Sequence, residues 1–377
     1  MLPLATLFLC PLAAEPRLHE QVLFASETSA DTSFNVVQVA EGLRHPWGLA
    51  FLPDGRWVVA ERPGQLWLAS EGGLVPIQGL PSIRAIGQGG LMDVIAHPDF
   101  NQNQRLYFSY AAEYDGGVGT RVARGRLVDD RLEAVEVIFQ MNPPGRGGTH
   151  FGSRLVFNGE GYLFISLGER NDRHRAQALD SHHGKIVRLY DDGRIPPDNP
   201  FVNRAGAHAE IWSYGHRNPQ GLYFDQESGI LWAHEHGPQG GDTLNRIRPG
   251  RNYGWPVATH GQEYGGGRIG TVPESRPDIE NPLVIWQPRS IAPSGLTRYR
   301  NGSIAAWEGD LLVGALIGQH LRRLKMRGDA IVGQEVLLQK RIGRIRTVVT
   351  GPDGHLWLTI DSANGQVLRI EPVEGRE

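Results

Sequence analysis

The chain has 377 residues, with 41 acidic and 38 basic side chains for a formal net charge of −3, so its balance favours no polyanionic partner such as a nucleic acid. Its 49 glycines and 25 prolines impose more chain reversals than a helical bundle tolerates, while 40% hydrophobic residues suffice for a large core. The single cysteine, Cys10, excludes an internal disulfide, a cysteine-based zinc site and an iron–sulfur cluster.

Residues 1–14 form an apolar run that ends in small residues. The run resembles the core and cleavage region of a secretory signal, although the usual basic start is missing, and it predicts a periplasmic or secreted protein. It is too short to cross a bilayer, and no other stretch reads as a membrane span. Residues 15–33 read as an N-terminal extension, 34–373 as one domain, and 374–377 as a C-terminal tail.

From residue 34 a pattern repeats. A glycine and an apolar stretch lead into a polar turn, often Asp-Gly, and then into an aromatic-rich strand. The copies are Trp47–Ala60, Gly90–Tyr110, Ser153–Ser166, Gln220–Ala233, Ser294–Gly314 and Val348–Ile360. Each copy is a hairpin of two short strands. One hairpin cannot bury both of its faces, so the copies must stack. Six of them predict an all-β, six-bladed β-propeller with four-stranded antiparallel blades. The early strand at Phe34–Val39 is expected to complete the last blade and close the ring. The stretches 112–150, 171–184, 191–217 and 236–290 are rich in Gly, His, Arg, Asn and Pro, and read as long loops at one end of the channel.

Several residues in these loops carry chemistry. His150, on a glycine-rich loop, suits a general base or a hydrogen-bonded turn. Arg217 offers a planar donor fork for a carboxylate or quinone oxygen, and Asn218 offers both donor and acceptor; a loop salt bridge is the plainer reading. His234 and His236 alternate as ligands on one strand face would, while the Gly237 and Pro238 carbonyls equally suit a hard cation such as Ca²⁺. His182 and His183 read as a surface turn. Arg344 and Arg346 alternate along a strand, so an anionic ligand or a solvated edge is expected beside them. No phosphate loop precedes a helix and no Gly-x-Ser-x-Gly elbow occurs.

Together these motifs resemble the soluble aldose sugar dehydrogenases that use pyrroloquinoline quinone (PQQ), relatives of soluble glucose dehydrogenase and sorbosone dehydrogenase. The carriers are Gly87–Met92, Ala96–Phe100, Thr149–Arg154, Gly184–Leu189, Ile195–Phe201, Gly215–Gly221, Glu235–Pro238, Asn252–Pro256 and Gly343–Arg346, in one shared order. The resemblance implies oxidation of an aldose at C1 to the lactone, with PQQ and Ca²⁺ as cofactors. His150 matches the catalytic base, which takes the C1 hydroxyl proton while hydride passes to the quinone C5. Glu169 stands where an Asp usually orients that base. Gln88, Arg217, Asn218, Tyr264, Arg344 and Arg346 match positions that hold PQQ, and Arg217 also steadies charge on the reduced ring. Gly237 and Pro238 match carbonyl ligands of the cofactor-linked Ca²⁺. Tyr253 belongs to a second, structural calcium site, where Thr243 replaces an acid and Asp242 is the candidate to compensate. His236 stands in place of a Gln, and Ile317 in place of a Lys that contacts PQQ. The partners implied are a sugar and an electron acceptor, a cytochrome, a quinone or an artificial dye, with no nucleic acid. The competing readings are a Ca²⁺-dependent lactonase-type hydrolase, which needs a cation held by several carboxylates, and a propeller without cofactor that binds carbohydrate or protein.

Overall fold

The computed structural model describes residues 15–373, so the signal-like segment 1–14 and the tail 374–377 lie outside it. The chain forms six antiparallel sheets arranged as a six-bladed propeller, together with one small hairpin, Ala258–Gln262 with Arg268–Gly270. The innermost strands of the blades are Pro46–Phe51, Leu91–Ala96, Gly152–Phe157, Pro219–Asp225, Pro293–Arg298 and Ile345–Thr350. Each touches the next, and the sixth touches the first, which closes the ring. Among the described residues no helix is long and apolar enough to cross a membrane.

Each blade boundary is sealed by its own apolar cluster. Leu106, Phe108 and Ala60 sit between blades 1 and 2, and Tyr107, Leu155 and Ile165 between blades 2 and 3. Trp232, Trp286 and Val313 join blades 4 and 5. Burying such side chains contributes about 1.5–3 kcal/mol each. The alternation of neighbours such as Tyr107 and Phe108 explains how one strand serves two boundaries, because successive side chains leave opposite faces.

The ring closes through strand Ser33–Leu43, which pairs with Gly365–Pro372 in blade 6. A register shift lies between Gln38 and Ala40. Before it, Phe34 and Val36 pack toward blade 5; after it, Ala40 and Leu43 pack toward blade 1. One extra residue in a strand reverses its faces, and a second shift between Ala40 and Leu43 keeps that pair on one side, so this single strand seals both seams. The segment read as an N-terminal extension also contributes. Arg17–Thr28 pairs with Ser33–Leu43 and gives the last blade a fifth strand.

Three of the stretches expected as loops contain outer strands. Gly117–Val128 and Arg131–Gln140 complete blade 2, Ile211–Tyr214 completes blade 3, and Val284–Trp286 completes blade 4. Arg131–Gln140 is solvent-facing and charged and so lacks the apolar signature of the inner strands, whereas Ile211–Tyr214 and Val284–Trp286 are apolar but only four and three residues long.

The channel is spanned by one side chain. Arg154, on the innermost strand of blade 3, donates from Nε to Gln220 O of blade 4 at 2.8 Å and from Nη2 to Arg346 O of blade 6 at 2.7 Å. Its Nη1 reaches Asp93 Oδ1 of blade 2 at 3.3 Å and Thr347 Oγ1 at 3.0 Å, and its guanidinium lies 4.1 Å from the Trp47 ring centre of blade 1. Ser294 of blade 5 donates to the same Arg346 carbonyl at 2.8 Å. Burial pushes the Arg154 pKa down to about 10 and raises that of Asp93, while each charge opposes the shift of the other. Removing one partner of such a pair strands a buried charge. Arg154→Met is therefore expected to lose about 3–5 kcal/mol in urea unfolding, and Arg154→Met/Asp93→Asn to regain part of it. A loss under about 1 kcal/mol would contradict the hub.

Candidate active site

One end of the channel opens into a cavity of about 290 Å³. His150 reaches its wall from the loop that enters blade 3. The His150 backbone has φ +53°, the sparsely populated left-handed region, a form of local strain common at functional sites. Gly168 permits that position, since a Cβ there would fall 2.0 Å from the His150 carbonyl oxygen. The loop is tied across the site by His150 N–H donating to Gln88 Oε1 at 2.9 Å. His150 Nδ1 lies 2.8 Å from Glu169 Oε2. A carboxylate only accepts, so the Nδ1 carries the proton and the Nε2 lone pair is left for the cavity. Glu169 is 2% exposed and also accepts from Asn171 N–H at 2.6 Å. The glutamate at this place thus closes the contact to the imidazole despite its extra methylene.

Arg217 forms another wall. Its Nη1 donates to Gly237 O at 2.8 Å, and its Nη2 to the Tyr264 hydroxyl at 3.3 Å. Its backbone N–H donates to Glu235 Oε2 at 2.5 Å. Tyr264 stands at the mouth with 73% of its surface exposed. Gly237, Pro238, Arg344 and Arg346 also line the cavity. Arg346 is buried and ion-paired to Asp361 at 2.6 Å, and donates to Gln220 Oε1 at 2.9 Å. An internal anion therefore answers Arg346, which the strand alternation alone assigned to a ligand or to solvent. Arg344 comes only within 4.0 Å of Asp361 and keeps nearly half of its side chain exposed.

Two expected ligands turn away from the cavity. The Asn218 side chain is 1% exposed and does not line it; its Oδ1 accepts from Gly152 N–H at 3.1 Å and from Gln220 Nε2 at 3.3 Å. Its amide is used to join two blades, and Gln220 takes the place on the wall. Asp242 is fully buried, and its oxygens accept from Gly237 N–H at 2.8 Å, Ile291 N–H at 2.7 Å, Ala292 N–H at 3.1 Å and the Ser290 hydroxyl. With its lone pairs committed to loop backbone, Asp242 does not compensate for Thr243 at a second calcium site. Tyr253, Thr243 and Glu235 border only a small separate cavity of about 30 Å³.

The histidines sort clearly. His234 and His236 share a face, but each Nε2 approaches a backbone carbonyl of blade 5, Gly295 at 3.1 Å and Pro293 at 2.9 Å. His234 is buried and His236 half-buried on the cavity wall, and desolvation lowers both pKa values, so they serve as neutral interblade donors rather than a metal pair. His182 and His183, expected at a surface turn, are 2% exposed. His182, His208 and Glu210 do cluster closely enough to suit a metal ion. Yet Asn142 N–H donates to His182 Nδ1 at 2.8 Å, so the Nε2 carries the proton it shares with Glu210 at 2.8 Å. A metal there would require an imidazolate. Ser213, His216 and Glu235 line up as a nucleophile, base and acid would, at 2.9 and 3.1 Å. Ser213 is wholly buried, so this row meets no substrate and instead holds the backbone of Arg217.

A profile of the family described as Glucose / Sorbosone dehydrogenase matches residues 43–369. The chain belongs to that family. It is 44% identical over 354 residues to Aldose sugar dehydrogenase YliI of Escherichia coli (strain K12), covering 91% of this chain and 94% of that protein. Among solved structures, the soluble aldose sugar dehydrogenase of Escherichia coli in its apo-form superposes with a TM-score of 0.87 at 44% identity, over 90% of this chain and all of that one. The PQQ-bound aldose sugar dehydrogenase of Streptomyces coelicolor gives 0.73 at 28% identity, over 96% of this chain and all of that one. The protein is a sugar dehydrogenase of the glucose/sorbosone dehydrogenase family.

Against that family, sequence reasoning overlooked Arg62, Gln220, Trp47 and Asp361. Trp47 and Gln220 lie inside repeats already noted and Arg62 and Asp361 outside them, but no local signal marks any of the four as a site residue, because each matters through partners from distant blades. Asp361 is the most consequential. Burial alone would raise its pKa, but Arg346 and His45, the latter at 2.7 Å, hold it at about 2. A depressed carboxylate pKa stabilises the fold above about pH 4 and stops doing so as pH falls through about 2. The stability gap between the protein and Asp361→Asn should therefore shrink by about 2 kcal/mol between pH 5 and pH 2 in denaturant titrations. A gap that does not change with pH would rule out this linkage.

Proposed function

We propose that the protein is a PQQ-dependent aldose dehydrogenase that oxidises the C1 hydroxyl of a sugar to the lactone, with Ca²⁺ completing the cofactor. One observation carries the reading. The cavity that exposes His150 is lined by four arginines, Arg62, Arg217, Arg344 and Arg346, and among the described residues by no aspartate or glutamate. That surface fits a flat tricarboxylate with quinone oxygens, a ligand made of acceptors. Two buried donors, Arg217 Nε and Arg346 Nε, lack partners, as expected of a wall awaiting one. The PQQ-bound Streptomyces coelicolor relative supports the same choice. A lactonase-type centre draws no support, since the cavity offers no carboxylates to hold its cation.

Gln88, Arg217, Arg344 and Arg346 would hold PQQ, with Tyr264 at the rim. Asn218 would act behind the wall, through Gly152 and Gln220. The Gly237 and Pro238 carbonyls would hold the Ca²⁺ that polarises the quinone. Bound PQQ supplies the two-electron acceptor for the C1 hydride. The chain supplies the rest. His150 Nε2 receives the proton of the C1 hydroxyl. Glu169 keeps the imidazole in the right tautomer and stabilises the imidazolium that forms. Arg217, desolvated against Trp255 and fixed through Glu235, faces the negative charge that develops in the cavity. Electrons then pass to an acceptor at the open mouth. Export to the periplasm or medium belongs to the same reading and rests on the apolar segment 1–14.

The test is a titration with PQQ in excess Ca²⁺, followed by an aldose panel with an artificial acceptor. Saturable binding and bleaching by a sugar are expected, and no binding would overturn the reading. His150→Ala should lower kcat by about 10²–10⁴-fold while PQQ affinity holds. Full activity in that variant would remove His150 from the mechanism. Glu169→Gln should also lower kcat, again with PQQ affinity kept.

A further inference from the structure

We infer that Arg62 is a carboxylate-binding residue of this site and supplies the cation that Ile317 does not. The inference rests on the PQQ reading above. Arg62 follows the second strand of blade 1, Trp57–Glu61, and its backbone is fixed on both sides. Its N–H donates to His45 O at 3.1 Å, and its carbonyl accepts from Leu91 N–H at 3.0 Å. Gly90 makes this crossing possible, since a Cβ there would fall 1.8 Å from the Arg62 carbonyl oxygen. The chain therefore delivers this side chain to the cavity wall without freedom to swing the backbone away.

The guanidinium that arrives there is uncommitted. Arg62 is half-buried and lines the cavity, and among the described residues its side chain has no hydrogen bond and no ion pair. Its neighbours differ. Arg346 is bound to Asp361 and Gln220, Arg217 to Gly237 and Tyr264, and Arg344 touches the Leu316 carbonyl at 3.5 Å. Asp361 is the carboxylate paired within the cluster, and Arg346 and His45 already engage it. Arg62 is close enough that its charge lowers the pKa values of both Arg346 and Asp361. Three guanidinium groups thus converge from blades 1 and 6 on a single internal anion. Partly desolvated cations are ordinarily paired, so the surplus calls for an anion from outside. Ile317, 64% exposed and lining the same cavity, offers that anion only apolar contact.

Equilibrium binding of PQQ to the cofactor-free protein with excess Ca²⁺ tests this without turnover. Arg62→Gln should weaken binding by about tenfold or more, and should flatten the dependence of Kd on ionic strength. Arg62→Lys should keep part of the affinity, and Arg62→Gln/Ile317→Lys should regain part of the loss. Unchanged melting of cofactor-free Arg62→Gln would confirm that the effect is on binding; if that variant melts early, the Arg62→Lys comparison and the Ile317→Lys rescue decide. Equal Kd values for the protein and Arg62→Gln would overturn the assignment. A parent protein that binds no PQQ at all would instead overturn the cofactor reading, a different result.

Discussion

The Arg154 guanidinium in the channel is the constraint on which the rest of the molecule hangs. Propeller blades attract one another through apolar faces, and that attraction is indifferent to small slides of one blade against its neighbour. Hydrogen bonds are not. Arg154 ties blade 3 directly to blades 2, 4 and 6, stacks on Trp47 of blade 1, and shares the Arg346 carbonyl with Ser294 of blade 5. Its contacts include the chain on either side of two cavity residues, Gln220 and Arg346. The register of the whole ring is thereby set at the floor of the site.

Above that floor the charges are layered. The buried carboxylates stand behind the wall and each is occupied: Glu169 by His150 and Asn171, Glu235 by His216 and Arg217, Asp242 by four donors of its own loops, and Asp361 by His45 and Arg346. The arginines stand in front. A site in which acids orient and bases face the cavity is prepared for an anion with many acceptors. Lys185 applies the same logic to the 171–184 loop, where its buried ammonium gathers the carbonyls of Arg175, Ala176 and His183. The substrate side is more open. Tyr264 and Ile317 are the most exposed large apolar residues of the cavity.

Much of this was legible in the residues alone. The six hairpins show because inner strands are apolar and their turns use Asp-Gly or its equivalents. His150 shows because a glycine-rich loop feeds a strand, and Glu169 only through the family resemblance, as the acid at the place of an Asp. Asn218 and Asp242 misled for a shared reason. A polar side chain beside a site is equally able to face a ligand or to hold a backbone, and nothing local distinguishes the two. The outer strands misled either because they carry charges on a solvent face, as Arg131–Gln140 does, or because they are only three or four residues long, as Val284–Trp286 and Ile211–Tyr214 are.

The residues alone were enough for the propeller, the number of blades and the arginine-rich character of the loops, and the family resemblance pointed to His150 and Glu169 as candidates for base and orienting carboxylate. Those follow from local periodicity and from short motifs, each of which acts within a few residues of itself. Only the folded chain shows that Arg346 is answered by Asp361, that Arg154 joins the blades, that Asp242 is spent on loops, and that Arg62 has no side-chain partner among the described residues. These depend on pairs separated by up to 193 positions along the chain, as between Arg154 and Thr347. Whether a charge is paired is a property of its surroundings, and in a closed ring those surroundings come from every blade at once.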